Sequence, residues 1–145
     1  MCGITGVFFL KKDKNFNLNS LKEMTSSLSH RGPDSFGYWS SEENNVYFGH
    51  RRLSILDLSK HGDQPMTSSC GRFVITFNGE IYNFKELSIE LQNKFNVNFT
   101  NNTDTIVFLE LISKFGLMKA LEKVEGMFAF GLWDKKKKKA VFRKG

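Results

Sequence analysis

Hydrophobic positions fall into short blocks separated by polar punctuation, and the period inside the blocks changes along the chain. Residues 4–10 are rich in β-branched and aromatic side chains, follow Gly3 and precede a charged stretch, which predicts a buried strand. Leu21, Met24 and Leu28 then recur at helical spacing. Ser20 and Glu23 stand at the distance of a capping box, and Gly32-Pro33 ends the pattern. Residues 36–39 and 46–48 read as two strands joined by a polar turn at 40–45. A further strand is predicted over 72–77, ended by Asn78-Gly79 read as a turn. Asn83 and Glu86 repeat the capping-box spacing before Leu87, Ile89 and Leu91, so a helix of roughly ten residues follows. Asp104–Phe115 reads as a second helix with a broad apolar face. Residues 127–133 and 140–142 form a hairpin whose tip holds Asp134 and the lysine run 135–139.

Strands that follow strands, with helices between the groups, argue for antiparallel sheets with helices packed outside. A length of 145 residues allows one domain and hardly two. Hydrophobic and charged fractions of 40% and 25% set aside fibrous and wholly disordered classes. The two cysteines, Cys2 and Cys70, are too few for a disulfide framework or a four-thiolate zinc site. The net charge of +6 could suggest nucleic acid, but five of the lysines lie in the one run at 135–139. No aromatic residue interleaves that run, so it lacks stacking partners for single strands. No apolar stretch is long enough to span a membrane and no secretory signal is visible, so a reducing cytoplasm is the expected location.

Cys2 is the residue with most chemical promise. Removal of Met1 would leave a thiol and a free α-amine on one residue, and an α-amine has a reference pKa of about 7.7–8.0, low enough to act as a base near neutral pH. Three polar segments interrupt the apolar strands: His30-Arg31-Gly32-Pro33-Asp34, Arg52-Leu53-Ser54-Ile55 and Asn78-Gly79-Glu80-Ile81-Tyr82-Asn83. The three histidines, His30, His50 and His61, are not required by this chemistry, because the α-amine fills the base role. No Cys-x-x-Cys and no histidine pair at ligand spacing is present, so no metal site is expected.

At these segments, together with Met1-Cys2-Gly3-Ile4, Gln64-Pro65-Met66, Thr103-Asp104-Thr105 and Gly126-Met127-Phe128-Ala129-Phe130, the chain resembles the class II glutamine amidotransferases. The likeness is strongest to the glutaminase domain of glutamine-hydrolysing asparagine synthetases. It implies an α+β fold, the N-terminal-nucleophile hydrolase α/β/β/α sandwich of antiparallel sheets, here truncated at its C-terminal edge. It implies hydrolysis of L-glutamine to L-glutamate and ammonia through a thioester on Cys2, with the Asn78 side chain and the Gly79 N–H holding the oxyanion. Arg52 would meet the substrate α-carboxylate and Asp104 its α-ammonium, with Ile55 and Glu80 as further pocket residues and Arg31 in a structural role. Where the family usually has an acidic residue, this chain has Ile106. Residues 1–145 are thus expected to form a partial glutamine amidotransferase domain without the synthetase domain, whose site would receive the ammonia. No cofactor is expected in this chain, since ATP and Mg belong to that absent domain, and neither nucleic acid nor membrane is an expected partner. The alternatives are a catalytically inactive glutamine-binding or partner-binding remnant and the glutaminase domain of a sugar-amidating enzyme.

Overall fold

In a computed structural model of the protein, which describes residues 1–11, 15–41, 45–54, 62–99 and 103–144, the strands form two antiparallel sheets. The first sheet has the order β1-β3-β2, with β1 Gly3–Phe8, β2 Ser35–Ser41 and β3 Val46–Arg52. The second has the order β4-β5-β6-β7, with β4 Met66–Thr67, β5 Phe73–Ile81, β6 Gly126–Asp134 and β7 Lys139–Lys144. Helix α1, Leu18–Ser26, covers the outer face of the first sheet, where Gly49 of β3 lies against the Thr25 side chain. Helices α2 Phe84–Phe95, α3 Asp104–Phe115 and α4 Leu117–Lys123 cover the outer face of the second. The layering is therefore α/β/β/α, as the resemblance implies.

Strand alternation divides the apolar side chains between two layers. Phe73, Ile75 and Phe77 of β5 point toward the helices and join Phe128, Phe130 and Leu132 of β6 and Val107, Phe108, Leu111 and Ile112 of α3 in one core. Val74 points the other way and meets Val46, Phe48 and Trp133 between the sheets. Helix α3 lies deepest: Phe108, Leu109 and Leu111 are wholly buried, and the buried Glu110 carboxylate accepts hydrogen bonds from the Ser69 N–H at 2.7 Å and the Ser69 hydroxyl at 2.6 Å. That pair ties α3 to the turn between β4 and β5.

Several boundaries differ from the sequence expectations. Helix α1 is capped by Asn17, whose Oδ1 accepts from the Asn19 and Ser20 N–H groups, so Ser20 and Glu23 lie inside the helix and not at its start. Asn83 precedes α2 but makes no side-chain cap. Its Nδ2 donates to the Lys123 carbonyl and its Oδ1 accepts from the Glu125 N–H, which anchors the link between α4 and β6. Asn78 and Gly79 are not a turn: β5 continues through them, paired with Ala129 and Phe128 of β6. Helix α4 and the two-residue β4 were not foreseen. The bounds of α3 agree with expectation, the final hairpin forms where expected but with longer strands that pair Asp134 with Lys139, and Thr103 Oγ1 caps α3 by accepting from the Ile106 N–H.

Candidate active site

The alternation that builds the layer between the sheets also assembles a polar cluster at one end of it. On β3, Val46, Phe48, His50 and Arg52 share the face turned toward the second sheet, so one stripe runs from apolar to cationic. On β5, Val74, Thr76 and Asn78 share the facing side, and the Thr76 hydroxyl donates to the Gly49 carbonyl across the gap at 3.3 Å. Cys2 stands just before β1, in phase with Gly6, which abuts Phe48, and with Phe8, whose ring centroid lies 6.0 Å from that of Trp133. The result is a cleft of about 160 Å³ whose walls include Cys2, Arg52, Asn78, Gly79 and Asp104. That volume is well below the roughly 300–1,000 Å³ of drug-sized pockets and is of the size that takes a small polar ligand.

Cys2 is held by both of its ends. Its sulfur lies 3.5 Å from the Leu53 nitrogen, whose N–H donates toward it, and its carbonyl accepts from Arg31 Nε at 3.2 Å. The segment that supplies Leu53 is itself fixed: Ser54 N–H donates to Asp34 Oδ2 at 2.6 Å, and Asp34 N–H donates to the Arg52 carbonyl at 3.1 Å. Arg31 and Asp34 therefore act as braces around the thiol, in agreement with a structural role for Arg31.

Arg52 and Asp104 supply opposite charges. The Arg52 side chain is 11% exposed and pairs at 3.2 Å with Asp63, which is 47% exposed. Asp104 opens α3 and bridges to β5: Oδ2 accepts from the Ile81 N–H at 3.1 Å and Oδ1 from the Thr105 N–H at 2.7 Å. Burial pushes the Asp104 carboxyl above the usual range, the Ile81 and Thr105 donors pull it part of the way back, and Glu80 adds to the rise. Support for Asp104 thus comes from Ile81 and Thr105, while Ile106 packs against the helix-facing core.

Gly79 has φ of 150°, and a Cβ there would fall on the Met127 carbonyl and within 2.6 Å of Phe128. Its missing side chain is required by the neighbouring strand. Glu80 is exposed and does not line the cleft, although it influences Asp104. Ile55 and His61 lie outside the described residues.

Two lining residues were passed over. His50 is 1% exposed, and its Nε2 has no partner among the described residues. Desolvation lowers its pKa to about 4; the Phe77 carbonyl opposes this, Arg52 adds to it and Asp63 opposes it. The ring is therefore neutral near pH 7. Gln64 is 8% exposed and accepts the Phe77 N–H at 2.6 Å. The period-2 pattern of Val46, Phe48 and His50 was the available signal for the first. The second, within Gln64-Pro65-Met66, was read only as part of the resemblance.

A thiol at the mouth of the first strand of an antiparallel sandwich thus shares one cleft with an Asn-Gly strand, one cation and one anion. The chain matches the glutamine amidotransferase domain over residues 1–144 and belongs to that family. It is 41% identical to asparagine synthetase [glutamine-hydrolyzing] 1 of Bacillus subtilis over 93% of this chain and 21% of that protein. It is 36% identical to asparagine synthetase B [glutamine-hydrolyzing] of Escherichia coli over 94% of this chain and 24% of that protein. The chain therefore spans about a fifth to a quarter of the length of these curated relatives. The fold is shared with the glutamine phosphoribosylpyrophosphate amidotransferase of B. subtilis, at a TM-score of 0.53 and 22% identity, over 63% of this chain and 22% of that one.

Proposed function

We propose that this chain hydrolyses the side-chain amide of L-glutamine to L-glutamate and ammonia, with Cys2 as nucleophile. The observation that carries the reading is the meeting of Cys2, Arg52, Asn78, Gly79 and Asp104 around one small cleft, although they are spread over a hundred residues of sequence. Met1 is 76% exposed, so its removal is sterically simple and frees the α-amine of Cys2. That amine takes the thiol proton, and the sulfur attacks the carboxamide carbon. The oxygen becomes negative and is held by the Asn78 side chain and the Gly79 N–H. The loss of one such donor raises a barrier by roughly 3–4 kcal/mol. The amine then delivers its proton to the leaving nitrogen, ammonia departs, and water cleaves the thioester to regenerate the thiol and release glutamate.

Selectivity for a free amino acid follows from the two charges. The Arg52 guanidinium offers a fork to the α-carboxylate, oriented by Asp63, and the Asp104 carboxylate meets the α-ammonium. The chemistry uses a thiol, an amine and water and needs no metal or cofactor within this domain. We infer that the ammonia passes to an acceptor site on a synthetase domain, as the names of the relatives suggest for those proteins, and that ATP and Mg act there. Two free cysteines, one of them the nucleophile, fit a reducing cytoplasm. Among the described residues no helix is long and apolar enough to cross a membrane.

Glutamate release from glutamine, measured on the purified chain and on Cys2→Ala, tests the reading. Wild type should turn over and the variant should fall to background with an unchanged unfolding midpoint, while a mass spectrum should show Met1 absent. Equal rates in the two proteins would exclude Cys2 as nucleophile.

A further inference from the structure

Strand β4 pairs with β5 at Met66–Ile75 and Thr67–Val74, so among the described residues the edge of β5 turned away from β6 has no strand beside it beyond that point. In an antiparallel strand the backbone groups of alternate residues point to the same side. Phe77, Gly79 and Ile81 are the residues that point to this edge. The Phe77 N–H donates to Gln64 Oε1 at 2.6 Å, and the Ile81 N–H donates to Asp104 Oδ2 at 3.1 Å. Gly79 lies between them and lines the cleft. The Phe77 carbonyl, on the same edge, faces the buried His50 ring.

Gln64 is suited to hold this arrangement. It is 8% exposed, and its own peptide is seated against β2, where its carbonyl occupies the space a Cβ on Gly37 would need. Without its oxygen the Phe77 N–H would be a buried donor with no acceptor, and the simplest relief is rotation of the edge peptides that follow it. That rotation would carry the Gly79 N–H with it.

We propose that Gln64 is a positioning residue for amide hydrolysis: by accepting the Phe77 N–H it fixes the open edge of β5 so that the Gly79 N–H points at the oxygen that becomes negative. This rests on the glutaminase reading of the cleft. Gln64 acts through the backbone of Phe77–Gly79, since its side-chain oxygen is committed to Phe77. The partner on the other side, Asp104, does the same for Ile81 while facing the substrate.

The test uses the full chain with Gln64→Met, which keeps the shape and loses the acceptor, and Gln64→Glu, which keeps an acceptor. Hydrolysis is normalised to titratable Cys2 thiol. Binding is measured for glutamate and for the analogue that carries an aldehyde in place of the carboxamide. Addition of the thiol to that aldehyde forms a C–S bond and a hemithioacetal whose oxygen sits where the oxyanion would. Gln64→Met should lower normalised kcat by roughly 10- to 100-fold and weaken the aldehyde by the same factor, with KM and glutamate affinity within about twofold. Gln64→Glu should restore both. A fall in unfolding midpoint and titratable thiol with unchanged normalised kcat and aldehyde affinity would assign Gln64 a structural role only and overturn the proposal. A wild-type chain that does not hydrolyse glutamine would overturn the glutaminase reading and this inference with it.

Discussion

The two apolar layers of the sandwich are built unequally. Between the second sheet and its helices, fifteen buried apolar residues form one continuous core among the described residues, with Phe77, Phe108, Phe128 and Phe130 in mutual ring contact. Between the sheets only four do, and the remaining length of that layer is given to His50, Thr76, Asn78 and the cleft. The difference separates two tasks. The helix-facing layer removes the greater part of the apolar surface from water and sets stability. The inter-sheet layer is apolar at one end, where it holds the sheets together, and polar at the other, where the cleft residues gather at the ends of strands.

The largest test of that division is Phe108→Ala. Removal of a wholly buried ring from the helix-facing core should cost about 3–5 kcal/mol in denaturant unfolding. The activity per folded molecule should stay close to wild type. A fall of more than about tenfold in that quantity would show that the layers are not separable.

Acid should act on the other layer. The folded value of His50, about 4, lies below its ordinary 6.5, so the unfolded chain binds the extra proton first. The stability tied to the neutral ring is complete above about pH 6.5 and is lost as pH falls through 4, a difference of about 3 kcal/mol. Denaturant titrations from pH 7 to pH 4 should show this slope in wild type and a flatter one in His50→Gln. Equal slopes would remove His50 as the acid-sensitive point of the inter-sheet layer. The smallest effect is expected from the lysine run, which belongs to neither layer. The turn there is held by the Asp134 carboxylate, which accepts from the Lys136 and Lys137 N–H groups and pairs with Arg72 at 2.6 Å. Replacement of residues 135–139 by Gln should change stability by less than about 0.5 kcal/mol and leave hydrolysis unchanged.

Periodic apolar stretches were legible in the sequence, and so were Cys2, Arg52, Asn78, Gly79 and Asp104, which the fold brings to one cleft. Helix α3 reads at its observed bounds because Thr103, Asp104 and the apolar face are all local signals. Features set by distant partners did not read. Asn78-Gly79 has the composition of a turn, yet pairing with Ala129 and Phe128 holds it extended. Asn83 has the composition of a cap, yet its amide serves Lys123 and Glu125, some forty positions away. His50 was set aside and Gln64 was given no role of its own for the same reason: one becomes informative only when burial strips its water, the other only when β4 proves too short to serve Phe77.

The shortness of β4 has a consequence for self-association. An uncovered strand edge invites another chain to add as a new strand, and such addition needs several consecutive donors and acceptors. Here Gln64 and Asp104 occupy the edge donors on both sides of Gly79 and reduce the opening to the width of a single peptide group. An aggregating segment cannot zip along a gap of that length, while one small carbonyl can enter it.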